Sequence, residues 1–214
     1  MFAGVIDPVG TGKIHSLERP GGNATGCASI FFNIGAKWLG LLKLAVPGLA
    51  RAVVVRDGGT LAGRGQYDAV MGAAQSNGVA LTPVDVNDPT GIEQAIVSSA
   101  NRTDSGVIVT AGSLAAGKRK WIVELARQQR VPGVYPNRMY ATDGGLIAYG
   151  PITVELYRSA ASYVDRIVRQ GAKPGDLPVK QTGQYELDIN LHTARAIGIE
   201  VPPALLAFAD RVID

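Results

Sequence analysis

Short apolar runs alternate with longer segments of helical periodicity along most of the chain, and this alternation constrains the fold more than any other feature. The apolar runs, many of them rich in β-branched residues, predict strands at 2–6, 52–56, 81–86, 106–111, 133–136, 146–150 and 185–190. The segments between them predict helices at 34–46, 66–78, 88–100, 118–129, 154–171, 191–198 and 203–213. Such alternation is typical of an α/β protein in which helices cover both faces of a parallel sheet. We therefore expect a doubly wound sheet, most regular between residues 52 and 136.

The composition permits a substantial core and argues against several kinds of partner. Hydrophobic residues make up 46% of the chain. Charged residues make up 18%, whereas they are about a quarter of a typical protein. The net charge is only +3, and the basic run at 117–121 has no interleaved aromatic residues, so we expect no nucleic-acid partner. Cys27, the single cysteine, lies in an apolar stretch and is predicted to be buried. With His15 and His192 as the only histidines, we expect neither a metal site nor a cofactor.

The stretch DPVGTGKI (7–14) resembles a phosphate-binding loop, because a glycine-rich turn that ends in Gly-Lys follows an apolar strand. The phosphate-loop pattern requires glycine where Asp7 stands and a hydroxyl residue where Ile14 stands. A carboxylate at position 7 would face polyphosphate, and isoleucine has no oxygen for magnesium. The sequence therefore disfavours nucleotide binding.

Polar residues follow the predicted strands at the edge where open parallel sheets bind their ligands. The candidate ligand-binding residues are Asp7, Thr11, Asp57, Gly112, Ser113, Asn137, Arg138 and Tyr149. A zwitterion suits them, since Ser113 at a helix N-terminus favours a carboxylate and Asp57 or Asp7 favours an ammonium group.

Each candidate also has a purely structural explanation. Asp7 before Pro8 is a good helix N-cap, and Ser113 has the same capping chemistry. Asp57 precedes two glycines and so has the signature of a turn. Arg138 on the surface and Tyr149 in the core would need no ligand. The convergence of these residues on one edge carries more information than any single one.

A catalytic site is hard to assemble from this sequence. It lacks a Gly-x-Ser-x-Gly elbow, and neither histidine has a cue that ties it to a nucleophile. We therefore expect no catalytic residues and a protein that binds without chemistry. The alternative is a soluble α/β enzyme acting on a small metabolite or nucleotide.

Three stretches, 16–26, 40–55 and 130–206, carry a family resemblance. The last contains GGL-x-x-YG, then Y-V-D-x-I, then GAKP-x-DLPV, then a strand that ends in Ile-Asn. In this order they resemble the substrate-binding proteins of ABC transporters, in the family that includes tryptophan- and tyrosine-binding members. The resemblance covers essentially the whole chain.

The resemblance implies a type I periplasmic-binding-protein fold, with one complete doubly wound lobe and an incomplete second lobe. The expected division is a remnant of the first lobe and crossover (1–33), the second α/β lobe (34–145), a return to the first lobe (146–183) and a C-terminal strand and helices near the hinge (184–214). The ligand is expected to be an amino acid, an aromatic one among the candidates, or a related carboxylate. It would bind in the cleft between the lobes, and an ABC permease is the expected protein partner.

The resemblance also implies a truncation, because family members carry a secretion signal and about a hundred further residues before the strand at 2–6. We therefore expect weakened ligand binding and self-association through the incomplete lobe. Family members are periplasmic or lipid-anchored, whereas a chain that starts at Met1 with no signal peptide is expected to stay in the cytoplasm.

Overall fold

The computed structural model describes residues 1–181 and 183–214 and divides the chain into two units. The smaller unit comprises residues 1–32 and 151–185, and the larger unit comprises residues 33–150 and 186–214. In chain order the strands are β1 (Phe2–Val5), β2 (Gly26–Ala28), β3 (Arg51–Arg56), β4 (Ala80–Asp85), β5 (Ser105–Val109), β6 (Gly133–Tyr135), β7 (Ile147–Pro151), β8 (Lys180–Gln181), β9 (Tyr185–Asn190) and β10 (Arg211–Ile213). The helices are α1 (Ile34–Ala45), α2 (Leu61–Asn77), α3 (Pro89–Ser98), α4 (Ser113–Gly117), α5 (Arg119–Gln128), α6 (Arg138–Thr142), α7 (Thr153–Val168), α8 (Leu191–Ile197) and α9 (Pro203–Ala207).

The larger unit is built around a sheet with the strand order β10-β9-β7-β6-β5-β3-β4. Strand β3 pairs in parallel with both β4 and β5, β6 pairs in parallel with β5 and β7, and β10 pairs in parallel with β9. Because successive side chains of a strand point to opposite faces, each strand contributes to two cores. The predicted α/β fold with a parallel sheet is therefore confirmed.

Helices cover both faces of this sheet. On one face, Val53 and Val107 belong to a buried cluster with Ile92 of α3 and Ile122 of α5. On the other face, α1 lies so close to β5 that a Cβ at Gly106 would approach Leu42 to 2.7 Å. Two buried layers enclose the strands, which is why their central residues read as continuous apolar runs.

The sheet of the larger unit also includes strands from the last third of the chain. Strand β7 pairs with β6, and the Asn190 N–H donates to the Leu146 carbonyl at 2.9 Å, so that β9 joins next to β7. Residues 147–150 and 186–214 thus belong to the larger unit.

The predicted helix at 203–213 is wrong beyond Ala207, because Arg211–Ile213 forms strand β10. The turn before it is fixed by Asp210, whose backbone N–H donates to the Leu187 carbonyl and whose carboxylate accepts from the Leu187 N–H, at 2.9 and 2.7 Å. The Arg211 Nε also donates to Asp188 Oδ1 at 2.6 Å. These contacts with β9 outweigh the local helical preference.

The smaller unit contains a parallel sheet with the order β1-β2-β8, and α7 packs on β1 and β2. Leu156 and Ala160 of α7 are buried against Cys27. The Thr25 hydroxyl donates to the Leu177 carbonyl at 2.7 Å, which ties the start of β2 to the segment before β8. The predicted burial of Cys27, which is 1% exposed, is confirmed.

Candidate functional site

The sheet order places four strand ends side by side in the larger unit. Strands β7, β6, β5 and β3 are consecutive neighbours that pair in parallel. The predicted site residues of this unit follow three of these strands or lie near the end of the fourth: Asp57, Gly112, Ser113, Asn137, Arg138 and Tyr149. Neighbouring strands are about 4.8 Å apart, so the ends of β3 and β6 are ~10 Å apart. That span suits a small molecule.

Asp57 lies in a tight turn between β3 and α2. Its Oδ1 accepts a hydrogen bond from the Gly59 N–H at 3.1 Å, and the Thr60 hydroxyl caps α2 by accepting from the Gly63 N–H at 3.0 Å. Gly63 is required here, because a Cβ at this position would lie 1.9 Å from the Asp57 carbonyl oxygen. The turn therefore holds the half-buried Asp57 side chain at the edge of the sheet.

Asp85, at the end of β4, holds the neighbouring loop in place, and the sequence reasoning missed it. Its two carboxylate oxygens accept from the Gly58 N–H at 2.9 Å and from the Asn87 N–H at 2.8 Å. These backbone hydrogen bonds, that from Asn87 above all, lower the pKa of the Asp85 carboxyl, and the nearby Arg56 guanidinium contributes to the lowering. The Arg56 guanidinium lies over the Tyr67 ring at 4.8 Å, so a cation–π contact positions it near Asp85.

Gln66 was also missed, although it fixes the loop that carries Gly112 and Ser113. Its side chain is fully buried in α2. The Gln66 Oε1 accepts from the Ala111 N–H at 2.8 Å, and its Nε2 donates to the Ala111 carbonyl at 3.1 Å. A single amide side chain thus satisfies both backbone groups of Ala111, as a neighbouring strand would.

Ser113 is exposed at the start of α4, directly after this clamped residue. The structural alternative for Ser113, a capping role, does not apply, because the N-cap position is Gly112 and α4 has no side-chain cap. Gly112 is extended, with a φ of 175° and a ψ of 154°, and a Cβ there would meet nothing within 4 Å.

Asn137 and Arg138 follow β6. Asn137 caps α6, since its Oδ1 accepts from the Met139 N–H at 3.1 Å, which leaves the amide Nδ2 as the group that is not used by the cap. The Arg138 Nη1 lies 3.6 Å from Glu186 Oε2, and the Arg138 side chain is 45% exposed. Gly150 of β7 allows the loop after β6 to lie close to this strand, because a Cβ at position 150 would lie 1.8 Å from the Pro136 carbonyl oxygen.

Tyr149 lies in β7 with a half-buried ring. The Lys37 Nζ lies 5.7 Å from the centre of this ring. The Tyr149 carbonyl accepts from the indole Nε1 of Trp38 at 2.9 Å. Its backbone is thereby fixed to α1, on one face of the sheet.

Asp7 and Thr11 belong to the smaller unit and bond within their own turn. Asp7 has a φ of 36°, its Oδ1 accepts from the Gly10 N–H at 2.8 Å, and its carbonyl accepts from the Thr11 hydroxyl at 2.8 Å. The amides of Gly12, Lys13 and Ile14 also donate to carbonyls of the same turn. These N–H groups are engaged internally and do not form the open cradle of a phosphate loop.

A cleft of about 430 Å³ lies elsewhere in the larger unit, at the amino ends of β5 and β6. It is lined by residues such as Val46, Arg102, Arg130 and Ile199, and none of the predicted site residues takes part. Within residues 1–181 and 183–214, no group of histidine, cysteine, aspartate and glutamate is arranged to hold a metal ion. In the same residues, no helix combines the length and apolar character needed to cross a membrane.

The family of ABC transporter substrate binding proteins matches residues 1–213. The chain belongs to this family. Such proteins are binding proteins and not enzymes, in agreement with the sequence prediction. A tyrosine-binding protein from Clostridioides difficile is 26% identical over 200 residues, which are 94% of this chain and 57% of the relative. The chain thus spans little more than half the length of that curated relative.

Solved structures share the fold. A conserved domain protein from Vibrio cholerae has a TM-score of 0.88 at 24% identity, and the match covers 99% of this chain and 70% of the Vibrio cholerae chain. A domain from Streptococcus pneumonia, in complex with L-Trp, has a TM-score of 0.86 at 21% identity with the same coverage. The predicted fold class, α/β and similar to type I periplasmic binding proteins, is confirmed by these likenesses.

A cluster of charges adjoins Arg138 in this family member. Burial raises the pKa of the Glu186 carboxyl, and the neighbouring Asp188 carboxylate raises it further, whereas Arg138 and Arg211 lower it. Asp210 adds to the raising. Among the described residues, Glu186 Oε1 and Asp188 Oδ2 are buried oxygens with no hydrogen-bond partner.

We expect the stability of the protein to depend on pH through Glu186. Its pKa is raised on folding above the unfolded value of about 4.3, so the folded state holds the proton more tightly. The resulting stabilisation is complete below that pH and is lost as the pH rises through the folded pKa. Glu186→Gln, which cannot ionise, should therefore gain stability relative to the wild type between about pH 4 and pH 8. Urea unfolding across this range measures the gain.

The exposed Glu93 provides the control, since Glu93→Gln should show no such trend. A constant difference between Glu186→Gln and the wild type over the whole range would contradict the raised pKa.

Proposed function

We propose that this chain binds an amino acid at the carboxyl edge of the larger unit's sheet and delivers it to the permease of an ABC transporter, outside the cytoplasmic membrane. The observation that carries this proposal is the strand order, in which the ends of β3, β5 and β6 are adjacent and each is followed by a polar group. Membership of the substrate-binding family supports a receptor over an enzyme.

The groups at this edge complement a zwitterion. The Asp57 carboxylate suits an ammonium group, while the Ser113 hydroxyl and the Asn137 Nδ2 amide are donors for a carboxylate. These three residues follow β3, β5 and β6, so the two ends of an amino acid would meet opposite chemistry ~10 Å apart or less. The Asp85 bonds and the Gln66 clamp fix the loops before binding, which limits the entropy lost when a ligand is held.

An aromatic side chain is the first choice for the ligand. The curated relative is a tyrosine-binding protein, and the similar Streptococcus pneumonia domain is in complex with L-Trp. The half-buried ring of Tyr149 at the same edge offers a surface for offset or edge-to-face packing with another ring.

Calorimetric titration of the chain with L-Trp and L-Tyr tests this proposal. Tryptamine lacks the carboxylate and N-acetyl-L-Trp lacks the ammonium group, so both should bind at least tenfold more weakly than L-Trp. Ser113→Leu should raise the Kd for L-Trp by about tenfold or more, which corresponds to ~1.4 kcal/mol.

Ser76→Leu is the matched control. Ser76 is exposed near the C-terminal end of α2, whereas the proposed site lies at the edge of the sheet where α2 begins, so this substitution should leave the Kd unchanged. Tryptamine binding as tightly as L-Trp, or an unchanged Kd in Ser113→Leu, would refute the assigned edge. No heat with any amino acid would refute the ligand class.

A further inference from the structure

Helix α7 of the smaller unit is apolar along two separate stripes. The buried stripe consists of Leu156, Ala160 and Tyr163, which pack on the sheet of this unit. The second stripe, which we call the outer stripe, is exposed and consists of Val154, Tyr157, Ala161, Val164 and Val168. Its large side chains are 62% (Val154), 60% (Tyr157), 45% (Val164) and 74% (Val168) exposed. Valines and a tyrosine at such exposure form a contiguous apolar surface and not a scatter of single residues.

The spacing of the outer stripe is that of a helix-pairing seam. Its members follow each other at intervals of three, four, three and four residues, which is the a/d pattern of a heptad repeat. The pattern runs through two heptads, the full length of α7. A seam of this kind packs well against another helix with the same spacing, because its side chains fit between those of the partner.

Charges beside the outer stripe identify the partner. Arg158 and Asp165 are seven residues apart and lie next to the stripe, on the side away from the buried face. When two copies of α7 are laid antiparallel with Val164 opposite Ala161, Tyr157 comes opposite Val168. Arg158 of one copy then lies two residues, about 3 Å along the helix axis, from the level of Asp165 of the other copy, which is within reach of an ion pair. The two-fold symmetry creates this opposite-charge pair twice.

Both charged residues have ion-pair partners near them in the chain. These ion pairs are weak enough to be replaced by an intermolecular pair. Arg158 pairs with Glu155, and the Arg169 Nε lies 3.5 Å from Asp165 Oδ1. The side chains of Arg158 and Asp165 are 68% and 45% exposed. Exposed ion pairs of this kind contribute little, so an intermolecular pair can replace them at small cost.

We propose that two copies of this chain associate through the outer stripe of α7, as an antiparallel helix pair with Arg158 of each copy facing Asp165 of the other. The pairing is isologous and therefore closes at a dimer. Helix α7 has 16 residues and is ~24 Å long, so the buried area is below that of a standard protein–protein interface. The dimer is accordingly weak and forms in the micromolar range or above. This inference does not depend on the proposed ligand.

Sedimentation velocity of the full chain, over roughly 5 to 500 µM, measures the association. The wild type should shift from monomer to dimer across this range, with no larger species. Val164→Glu places a carboxylate in the middle of the seam and should raise the dimer Kd at least tenfold. Ser162→Glu adds the same charge to the same helix outside the stripe and should raise it less than threefold. Circular dichroism of both variants checks that α7 and the unit remain folded.

A charge reversal tests the register. Arg158→Glu places like charges near each other and should weaken the dimer, whereas Arg158→Glu combined with Asp165→Arg restores opposite charges and should return the Kd to near the wild-type value. A monomer at all concentrations would overturn the proposal. So would a dimer that tolerates Val164→Glu, or one that the double reversal does not restore.

Discussion

Trp38→Ala is expected to lower the free energy of unfolding of the protein by about 3–5 kcal/mol. Trp38 is fully buried in α1, the helix that packs on β5 and β6, so alanine would leave a large cavity between this helix and the sheet. The substitution also removes the indole N–H that donates to the Tyr149 carbonyl at 2.9 Å. Urea unfolding followed by circular dichroism measures the loss.

Trp38→Phe separates the two contributions, because phenylalanine retains an aromatic ring but has no N–H. We expect this variant to lose about 1–2 kcal/mol. If Trp38→Phe proves as unstable as Trp38→Ala, the hydrogen bond and not the packing volume dominates, and the cavity argument fails.

Gln66→Leu is expected to cost about 2–4 kcal/mol, although leucine is apolar and of similar size. The substitution removes the hydrogen bonds that both backbone groups of Ala111 make with the buried Gln66 amide. Because Gly112 and Ser113 follow directly, we also expect L-Trp binding to weaken in this variant. The measurements are urea unfolding and the same calorimetric titration.

Gln75 supplies the comparison for Gln66, as a glutamine of the same helix that is exposed. Gln75→Leu should change the stability by less than about 0.5 kcal/mol. Equal effects of the two substitutions would show that helix propensity, and not the clamp on Ala111, determines the outcome.

The fold class followed from local patterns because most strands are buried on both faces and therefore appear as uninterrupted apolar runs. The predicted strand at 185–190 coincides with β9, and that at 106–111 overlaps β5. Strand β10 was missed, since AFADRVI has no strand pattern of its own and is held by Asp210 and by the Arg211–Asp188 pair. The contacts that decide this element are all non-local, so the sequence pattern contains no trace of them.

The candidate site could likewise be predicted only in part, because some of its contacts are local and others are not. Polar residues after strands are visible in a sequence, and the sheet order brings four of them to one edge, namely Asp57, Ser113, Asn137 and Arg138. The supporting residues are not visible, because the partner of Gln66 is 45 positions away. Sequence alone also cannot distinguish a group that faces a ligand from one used within its own turn, as Asp7 is by Gly10. The ligand roles of the eight predicted residues remain predictions.

The burial of Cys27 makes the smaller unit separately observable. Cys27 is the only thiol of the chain and is 1% exposed, so a thiol reagent in solution can label it only when this unit opens. Burial also raises the pKa of the Cys27 thiol, which keeps the reactive thiolate scarce until then. Both tryptophans, Trp38 and Trp121, belong to the larger unit, so indole fluorescence follows the other half of the molecule. Thiol labelling therefore follows the opening of the smaller unit, and indole fluorescence follows the unfolding of the larger unit. The two rates can be measured on the same protein without introducing a label.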